Sequence, residues 1–496
     1  MPKIIKSRQS ILFYINQRRY EVFGDQCLMT LSDFLRYEKN LTGTKVVCAE
    51  GDCGACTVLV ASVTGFKNKK LNFKSINSCI KPLFALDGCV IITVEGLKKQ
   101  NTLGTELHPV QTSMLKNFGS QCGYCTPGFI CAMASLVEDS KLQKKQITPQ
   151  RAKNYLTGNL CRCTGYEPII KSALDIDIAA TETLQKRFHD FEIIKELLNA
   201  VAKPLEVAIE NKKIFLPSTL KQALTIKKKY PNTLVLAGAT DIGVWVNKGK
   251  LEYSHVMSLK NITNISEIKI SKTEYFISPL TTLDQFQDVV KKQNSEINNM
   301  LNIFASLQIK NSGTIVGNVV NGSPIADSIP FLMALDAEIE IQSLNHKKYM
   351  PISEFYLGYK KLKLKSSELV TGIKLINFKS AKNNILKLYK VSLRKDLDIS
   401  AVTMALRFEL KNNLIQDCRI VIGGVGPTVA RVYSLEEEVI GKNFSESLFL
   451  KLSENVANYI TPLSDVRGTK EYRLKLSQNL FLKCSDELKH EGLLSC

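Results

Sequence analysis

Residues 48–60 read CAEGDCGACTVLV. Three cysteines follow a C-x4-C-x2-C spacing, and an apolar run rich in valine comes directly after them. This spacing is typical of a plant-type 2Fe-2S cluster, which takes three thiolates from one loop and a fourth from outside it. Gly51 and Gly54 let the backbone pass close to inorganic sulfide, where a Cβ would clash. The stretch therefore predicts an iron–sulfur loop at the mouth of a strand.

The fourth thiolate of this site has two candidates. The loop itself supplies Cys48, Cys53 and Cys56, and both Cys79 and Cys89 follow at a plausible separation. Cys79 lies in a loop, whereas Cys89 opens the apolar strand CVIITVEG, but spacing alone does not choose between them. A zinc knuckle is the alternative for the whole motif, although zinc sites usually use two C-x2-C pairs.

A second set of cysteines follows in two short motifs. GSQCGYCTPGFI contains Cys122 and Cys125, and LTGNLCRCTGY contains Cys161 and Cys163. Each pair lies at the end of a predicted helix with glycines beside it, where exposed amides favour thiolates. The two pairs predict another four-thiolate site. Its chemistry favours a second 2Fe-2S cluster, with zinc held by four cysteines as the alternative.

Length, composition and charge limit the number of domains and the classes of function. A chain of 496 residues predicts about three or four domains. Eleven of its 14 cysteines fall in the first third, which indicates metal chemistry there and, for a cytoplasmic chain, thiols rather than disulfides. The net charge of +19 comes from scattered lysines, so we expect no nucleic-acid surface. No apolar stretch is long enough to predict a signal peptide or membrane span, so we expect the cytoplasm.

Together the cysteine motifs resemble the iron–sulfur half of the molybdenum hydroxylase (xanthine oxidase) family. Four later stretches resemble its flavin half: LAGATDIG, NSGTIVGNVVNGSPIADS, YKVSLRKDLDIS and CRIVIGGVGPT. The order of iron–sulfur then flavin on one chain resembles the small subunit of the bacterial xanthine dehydrogenases in that family. The resemblance covers nearly the whole sequence.

The resemblance implies a multidomain α+β architecture. The expected parts are a β-grasp 2Fe-2S ferredoxin domain at 1–96, an all-helical 2Fe-2S domain at 97–175, an interdomain linker at 176–210 with helical content and no strand, an α+β FAD-binding domain at 211–384 and a C-terminal α+β flavoprotein domain at 385–496.

The resemblance also assigns the cysteines. It implies that Cys79, in Asn77-Ser78-Cys79, is the fourth ligand of the plant-type cluster and that Cys89 is a core residue. The second cluster takes Cys122, Cys125, Cys161 and Cys163. The cysteines that match no ligand motif are Cys27, Cys131, Cys418, Cys484 and Cys496.

An FAD site is implied by the same resemblance. A glycine turn after a strand presents amides to a diphosphate. Phe304 matches the position that packs against the flavin ring, and Lys390 matches a lysine close to the flavin. Asp398 lies in the adjoining loop, near the expected nicotinamide site. Ala239 and Asn321 stand where some relatives carry Asn and Thr. The residues carried over are Leu234, Val235, Leu236, Ala237, Gly238, Ala239, Thr240, Asp241, Ile242, Phe304, Thr314, Gly317, Asn318, Asn321, Asp327, Lys390 and Asp398, with Ser323 after the second loop.

The implied function is electron transfer. The chain has no room for the molybdopterin domain of the family, so we expect a separate large subunit that carries it, in a heterodimer or a dimer of heterodimers. Electrons would pass through two 2Fe-2S clusters to FAD and then NAD while the partner hydroxylates hypoxanthine or xanthine to urate, and no residue of this chain would be catalytic. The alternatives are an aldehyde, an N-heterocycle or carbon monoxide as substrate, or a zinc-stabilised scaffold without redox turnover.

Overall fold

The computed structural model describes residues 7–64, 70–101, 104–265, 267–379 and 381–494. Cys496 lies outside them. The chain divides into two compact units. The first unit contains residues 1–266 and 306–313, and the second contains residues 267–305 and 314–496. Helices and sheets are mixed in both units, which confirms the predicted multidomain α+β class.

The first unit begins with a five-stranded mixed sheet. Its order is Arg18–Phe23, Ser10–Ile15, Cys89–Ile92, Thr57–Ser62 and Lys74–Asn77. Ser10–Ile15 pairs antiparallel with Arg18–Phe23 and parallel with Cys89–Ile92. All six of its residues are buried, because alternate side chains enter two different hydrophobic cores on opposite faces of the sheet.

The predicted helical region follows this sheet. Its helices are Pro109–Lys116, Thr126–Leu142, Pro149–Leu156 and Glu167–Leu174. Proline stands in the first turn of each, where its missing N–H costs no hydrogen bond. Thr126–Leu142 is buried along most of its length and packs against the strand Thr57–Ser62, so the two cysteine-bearing regions share one core.

The segment 176–210 differs from the expected strand-free linker. It contains the helices Leu184–Arg187 and Phe191–Val201 and the strand Leu205–Ile209. That strand pairs antiparallel with Lys212–Leu216. Its Leu, Val and Ile side chains are buried at alternate positions, which is the period-two pattern of a half-buried strand and was readable in the sequence.

The first unit closes with a four-stranded sheet whose order is Leu234–Leu236, Val256–Ser258, Lys212–Leu216 and Leu205–Ile209. Its helices are Leu220–Lys229 and Thr240–Asn247, and a short helix at Leu307–Lys310 also belongs to this unit. The strand Leu234–Leu236 leads into a tight turn and then into Thr240–Asn247, so the turn lies at the carboxyl end of a parallel strand.

The second unit contains two large sheets and a two-stranded sheet formed by Tyr356–Gly358 and Lys361–Leu362. A five-stranded sheet has the order Ile268–Ile270, Glu274–Ile277, Leu369–Ile376, Glu338–Gln342 and Lys347–Pro351. A four-stranded antiparallel sheet has the order Asn384–Val391, Val402–Lys411, Leu414–Gly423 and Ala430–Arg431. The accompanying helices are Leu283–Val290, Ser295–Ile303, Ile315–Asn321, Ser328–Ala334, Tyr433–Val439, Glu446–Asn455 and Lys470–His490. Within the described part of the chain, no helix is both long and apolar enough to cross a membrane.

Candidate iron–sulfur and flavin sites

The plant-type loop wraps around the sulfur of Cys48. The main-chain N–H groups of Glu50 and Cys53 each donate to Cys48 Sγ over 3.4 Å. Gly51 and Gly54 have φ of +76° and +68°, so this turn needs residues without a Cβ. Backbone donors aimed at a cysteine sulfur stabilise a thiolate, which is the form that binds iron.

The structure brings Cys79, and not Cys89, next to this loop. Cys79 Sγ is hydrogen-bonded to both Cys48 and Cys56, and Cys53 is hydrogen-bonded to Cys48. Donation from Cys53 and Cys79 holds the pKa of Cys48 far below its ordinary value, and the same contact with Cys48 raises the pKa of Cys79. Cys89 lies in the sheet opposite Ser62 and is buried in a hydrophobic core.

The second cysteine set forms two contacts. Cys122 is hydrogen-bonded to Cys163, and Cys125 to Cys161. Donation from the Tyr124 N–H, followed by the contact with Cys163, lowers the pKa of Cys122, whereas burial raises the pKa of Cys125 to about 12. Cys122 and Cys163 are exposed, so this set lies at the protein surface, unlike the largely buried first set.

The four cysteines of the first set form a chain of side-chain contacts, and those of the second set meet in two pairs. Across the described ranges, no group of three or more His, Cys, Asp or Glu side chains converges on a position for a single metal ion. The candidate ligands in each set are nonetheless thiols. Backbone or side-chain groups donate hydrogen bonds to their sulfurs, among them Asn77 Nδ2 at 3.8 Å from Cys56 Sγ. Sulfur ligands with such hydrogen bonds suit a 2Fe-2S cluster, whose charge those donors stabilise.

The two cysteine sets adjoin each other through their backbones. The N–H of Leu160, the residue before Cys161, donates to the carbonyl of Cys53 over 2.9 Å. Asn159 Nδ2 donates to the carbonyl of Gly54, also over 2.9 Å. The approach is close enough to need glycine at position 128, where a Cβ would stand 2.3 Å from the Gly54 carbonyl.

A buried polar network holds this junction. Gln308 Nε2 donates to Asn159 Oδ1 over 2.8 Å and to Thr57 Oγ1 over 3.3 Å. Thr57 Oγ1 donates in turn to the carbonyl of Gly54 over 2.6 Å. Gln308 is fully buried, so a segment distant in sequence completes the contact between the two cysteine loops. Sequence motifs gave no signal for Gln308, because it matches no cofactor pattern.

Residues around the plant-type site also contact the helix that follows the turn predicted to hold FAD. Asn247 Nδ2 donates to the carbonyls of Cys79 and Ala49 over 2.7 and 2.8 Å. At Gly243, in the same helix, an added Cβ would stand 2.1 Å from the Ile80 carbonyl. The helix Thr240–Asn247 therefore packs directly on the residues around Cys79.

Lys81 makes a further contact between these two regions. Its Nζ donates to the carbonyl of Gly238 over 3.1 Å. Burial of this ammonium lowers the pKa of Lys81 to about 8. The side chain lies in a narrow crevice that Thr240 and Ser312 also line.

The turn itself runs from Ala237 to Ala239. Gly238 needs to be glycine because a Cβ there would lie 2.2 Å from the Ser312 carbonyl and 2.8 Å from Gly313 Cα. Ala239 adopts φ +65° and precedes the helix Thr240–Asn247, so the chain turns sharply between strand and helix. The residues predicted for this site are the strand Leu234, Val235 and Leu236, the turn, and Thr240, Asp241 and Ile242 in the first helical turn.

The second glycine-rich stretch, residues 311–328, contains the helix Ile315–Asn321, which belongs to the second unit. Thr314 Oγ1 accepts a hydrogen bond from the Gly317 N–H over 3.0 Å and caps the helix Ile315–Asn321. Asn318 Oδ1 accepts from Ser328 Oγ over 2.5 Å, whereas Asn321 Oδ1 is buried and has no hydrogen-bond partner among the described residues. A buried oxygen of this kind fits a site that a polar ligand completes.

Lys390 and Asp327 form a buried ion pair in the same unit. Lys390 Nζ is 2.7 Å from Asp327 Oδ2, and the two side chains are 1% and 4% exposed. Ser400 Oγ also donates to Asp327. Lys390 Nζ lies 5.9 Å from the centre of the Phe304 ring, so the structure groups three of the predicted flavin residues.

Asp398 lies on the loop after the strand Asn384–Val391. Its carboxylate accepts from the N–H groups of Arg394 and Ile399 over 3.0 Å each. These backbone donors lower the pKa of Asp398 against the opposing effect of desolvation. The acid therefore orders the loop that the resemblance places near the nicotinamide.

Known families match this chain along most of its length. Residues 13–81 match the "2Fe-2S iron-sulfur cluster binding domain", 93–174 the "[2Fe-2S] binding domain", 208–375 the "FAD binding domain in molybdopterin dehydrogenase" and 387–488 the "CO dehydrogenase flavoprotein C-terminal domain". Xanthine dehydrogenase 1 of Arabidopsis thaliana is 30% identical over 95% of this chain and 39% of its own length. Xanthine dehydrogenase of Drosophila pseudoobscura pseudoobscura is 27% identical over 98% of this chain and 40% of its own.

Solved structures share the fold. A carbon monoxide dehydrogenase from Hydrogenophaga pseudoflava has a TM-score of 0.52 at 18% identity and covers 54% of this chain and 94% of its own. Quinoline 2-oxidoreductase from Pseudomonas putida 86 has a TM-score of 0.51 at 18% identity and covers 56% and 96%. The chain spans about two fifths of the length of the curated relatives it matches. Two 2Fe-2S domains followed by an FAD-binding domain and a flavoprotein C-terminal domain make the chain similar to the iron–sulfur and flavin part of the molybdenum hydroxylase family.

Proposed function

We propose that this chain is the electron-transfer part of a cytoplasmic xanthine dehydrogenase. It would take electrons from a molybdopterin centre on a partner subunit and deliver them to NAD while hypoxanthine or xanthine is hydroxylated. The proposal assigns no catalytic residue to this chain, because none of its motifs would touch a purine. The xanthine dehydrogenases among its relatives support purines as the substrate class.

One observation carries the proposal: the plant-type loop makes direct contacts with both of the other cofactor regions. Cys53 accepts a hydrogen bond from Leu160 of the second cysteine motif, and Cys79 accepts one from Asn247 of the helix after the flavin turn. Both partners donate to backbone carbonyls of proposed cluster ligands. This arrangement supports the order helical-domain cluster, plant-type cluster, flavin.

The difference in exposure supports a direction for this relay. Cys122 and Cys163 are exposed, whereas Cys56 and Cys79 are buried beneath the helix Thr240–Asn247. The helical-domain set is thus accessible to a partner, and the plant-type set is enclosed.

Large apolar side chains accompany the exposed cysteines. Val47, Tyr124 and Leu160 are 64%, 47% and 61% exposed, and the Tyr124 hydroxyl donates to the Val46 carbonyl over 3.3 Å. Exposed apolar groups beside an exposed redox site are suited to an interface. We assign this surface to the molybdenum-bearing partner.

The residues of the chain hold and tune the cofactors. Bound clusters carry single electrons and bound flavin carries two, so the flavin supplies the step between single-electron flow and hydride transfer. Cys48, Cys53, Cys56 and Cys79 are the proposed ligands of the plant-type cluster. The helical-domain ligands and the flavin residues are those that the motifs predicted.

Co-purification with the molybdenum partner tests the proposal. The complex should contain about four iron atoms for each copy of this chain, since two 2Fe-2S clusters are proposed. It should contain FAD and should reduce NAD with xanthine and hypoxanthine. Turnover with aldehydes, N-heterocycles or carbon monoxide instead would replace the substrate and keep the electron-transfer role. A colourless protein that contains zinc and no iron would overturn the proposal.

A further inference from the structure

Lys81 occupies an unusual position between two cofactor regions. It comes two residues after Cys79, and its Nζ reaches the carbonyl of Gly238 over 3.1 Å. Gly243, Asn247 and Lys248 also contact residues around the plant-type site, but they lie further along the chain than the flavin turn. Lys81 reaches the turn itself. No cysteine or flavin motif includes Lys81.

The backbone of Lys81 is fixed. Its carbonyl accepts a hydrogen bond from the Leu31 N–H over 2.8 Å, and the neighbouring Pro82 forms a bridge with Thr30. The Lys81 side chain therefore extends from an anchored position. Its ammonium forms no ion pair with an acidic side chain in the part of the chain that the structure describes.

The contact with Gly238 orients one peptide unit. In a trans peptide the carbonyl and the following N–H point in opposite directions, and the described residues contain no cis peptide bond. Because the Gly238 carbonyl faces Lys81, the Ala239 N–H faces the opposite side of the turn. Ala239 has φ +65°, a conformation that costs free energy in a residue other than glycine and needs outside support.

We infer that Lys81 is a positioning residue for FAD: it holds the Gly238–Ala239 peptide in the orientation that presents the Ala239 N–H to the diphosphate of the dinucleotide. Its positive charge, which no acidic side chain neutralises, also favours an anion at this turn. The inference rests on the proposal that this turn binds the diphosphate. It links flavin binding to the loop that carries Cys79.

Two variants of Lys81 separate its hydrogen bond from its bulk. Lys81→Met keeps the length of the side chain but removes the hydrogen-bond donor and the positive charge. Lys81→Arg keeps the donor and the charge. Lys260→Met is the matched control, because Lys260 is a nearby cation whose Nζ donates to the Asp87 carbonyl and not to the flavin turn. Lys81→Leu, which also lacks the donor and the charge, replaces the Met variant if that variant does not fold.

The test is titration of FAD into the flavin-free full-length protein, with hydrogen exchange of residues 237–241 measured before FAD is added. Lys81→Met should weaken FAD binding about tenfold, since a hydrogen bond from a charged donor is lost. It should also speed amide exchange at the turn while the iron content stays at the wild-type value. Lys81→Arg should restore both properties, and Lys260→Met should change neither.

Unchanged FAD affinity and exchange in Lys81→Met would overturn this inference alone. Wild-type protein that binds no FAD would overturn the proposed function together with it. Equal losses in the Met and Arg variants would also contradict the inference, because they would show that only the native shape of the side chain matters.

Discussion

The N–H of Leu160 donates a hydrogen bond to the carbonyl of Cys53 over 2.9 Å. Leu160 directly precedes Cys161, and Cys53 is itself a proposed ligand, so a single hydrogen bond joins the backbones of the two cluster loops. Electron transfer between cofactors needs a short and rigid connection. The contact supplies one, and the Asn159–Gln308 network beside it is buried and therefore expected to be rigid.

Asn159 should stabilise this junction. Asn159→Ala removes the donor to the Gly54 carbonyl and takes away the shorter of the two hydrogen bonds that the buried Gln308 amide donates, leaving the one to Thr57 Oγ1. We expect the free energy of unfolding to fall by about 2 kcal/mol, since buried polar groups lose their partners. Chemical denaturation measures this change. Asn154→Ala, at an exposed helical position that accepts from Gln150, is the control and should have little effect. Equal losses in both variants would contradict a specific role for the junction.

Cys79 should be indispensable for the plant-type cluster. Cys79→Ser should lower the iron content from about four atoms per chain to about two and should remove one of two cluster signals from the EPR spectrum. Cys89→Ser should keep both clusters, because Cys89 lies in the sheet. Loss of the plant-type signal in Cys89→Ser with retention in Cys79→Ser would show that the fourth ligand has been assigned wrongly.

The contact between the flavin helix and the plant-type loop depends on Gly243. In Gly243→Ala the new Cβ would stand 2.1 Å from the Ile80 carbonyl, so the helix must shift away from the loop. We expect lower FAD occupancy in the purified protein, as measured by absorbance after denaturation. Gly426→Ala is the matched control, since a Cβ there meets nothing closer than 3.7 Å. Wild-type FAD occupancy in Gly243→Ala would mean that close helix packing is dispensable.

The buried pair of Lys390 and Asp327 should be costly to break. Lys390→Met leaves the Asp327 carboxylate buried without its counter-ion, at a cost of about 3 kcal/mol. The double variant Lys390→Met with Asp327→Leu should be less destabilised than the single variant, because no unpaired charge remains. Thermal unfolding of both proteins measures the difference, and equal destabilisation would argue against an important ion pair.

His108 should make stability depend on pH. Burial, reinforced by the nearby charges of Arg187 and Lys99, lowers the pKa of His108 to about 4, below the ordinary value of 6.5. As the pH falls, the unfolded chain therefore binds this proton before the folded protein does. The stability that neutral His108 contributes to the folded protein is present above pH 6.5 and is lost as the pH falls towards 4. Between pH 6.5 and 5.5 the free energy of unfolding should fall by about 1 kcal/mol, because the unfolded imidazole is half protonated at pH 6.5 and almost fully protonated at pH 5.5. His108→Asn keeps a side-chain acceptor for the Val110 N–H and should lack this part of the pH dependence. An unchanged pH profile in His108→Asn would contradict the assignment.

The sequence predicted the cysteine sets well because fixed spacing with glycine is a local property. It did not choose between Cys79 and Cys89 by spacing, since that choice depends on which residue faces the loop after the sheet has formed. The strand Leu205–Ile209 was missed although its alternation was visible, because its charged surroundings suggested a linker. Gln308 and Lys81 could not be found by motif, because their roles come from contacts between segments far apart in sequence.

The central claim is that the plant-type cluster stands between the helical-domain cluster and the flavin. Rapid-freeze EPR of the complete complex after mixing with NADH tests it most directly. In the wild-type protein, signals of both reduced clusters should develop. In Cys79→Ser, FAD should still be reduced while the helical-domain cluster stays oxidised. Reduction of that cluster at the wild-type rate in Cys79→Ser would show that electrons bypass the plant-type site and would contradict the account.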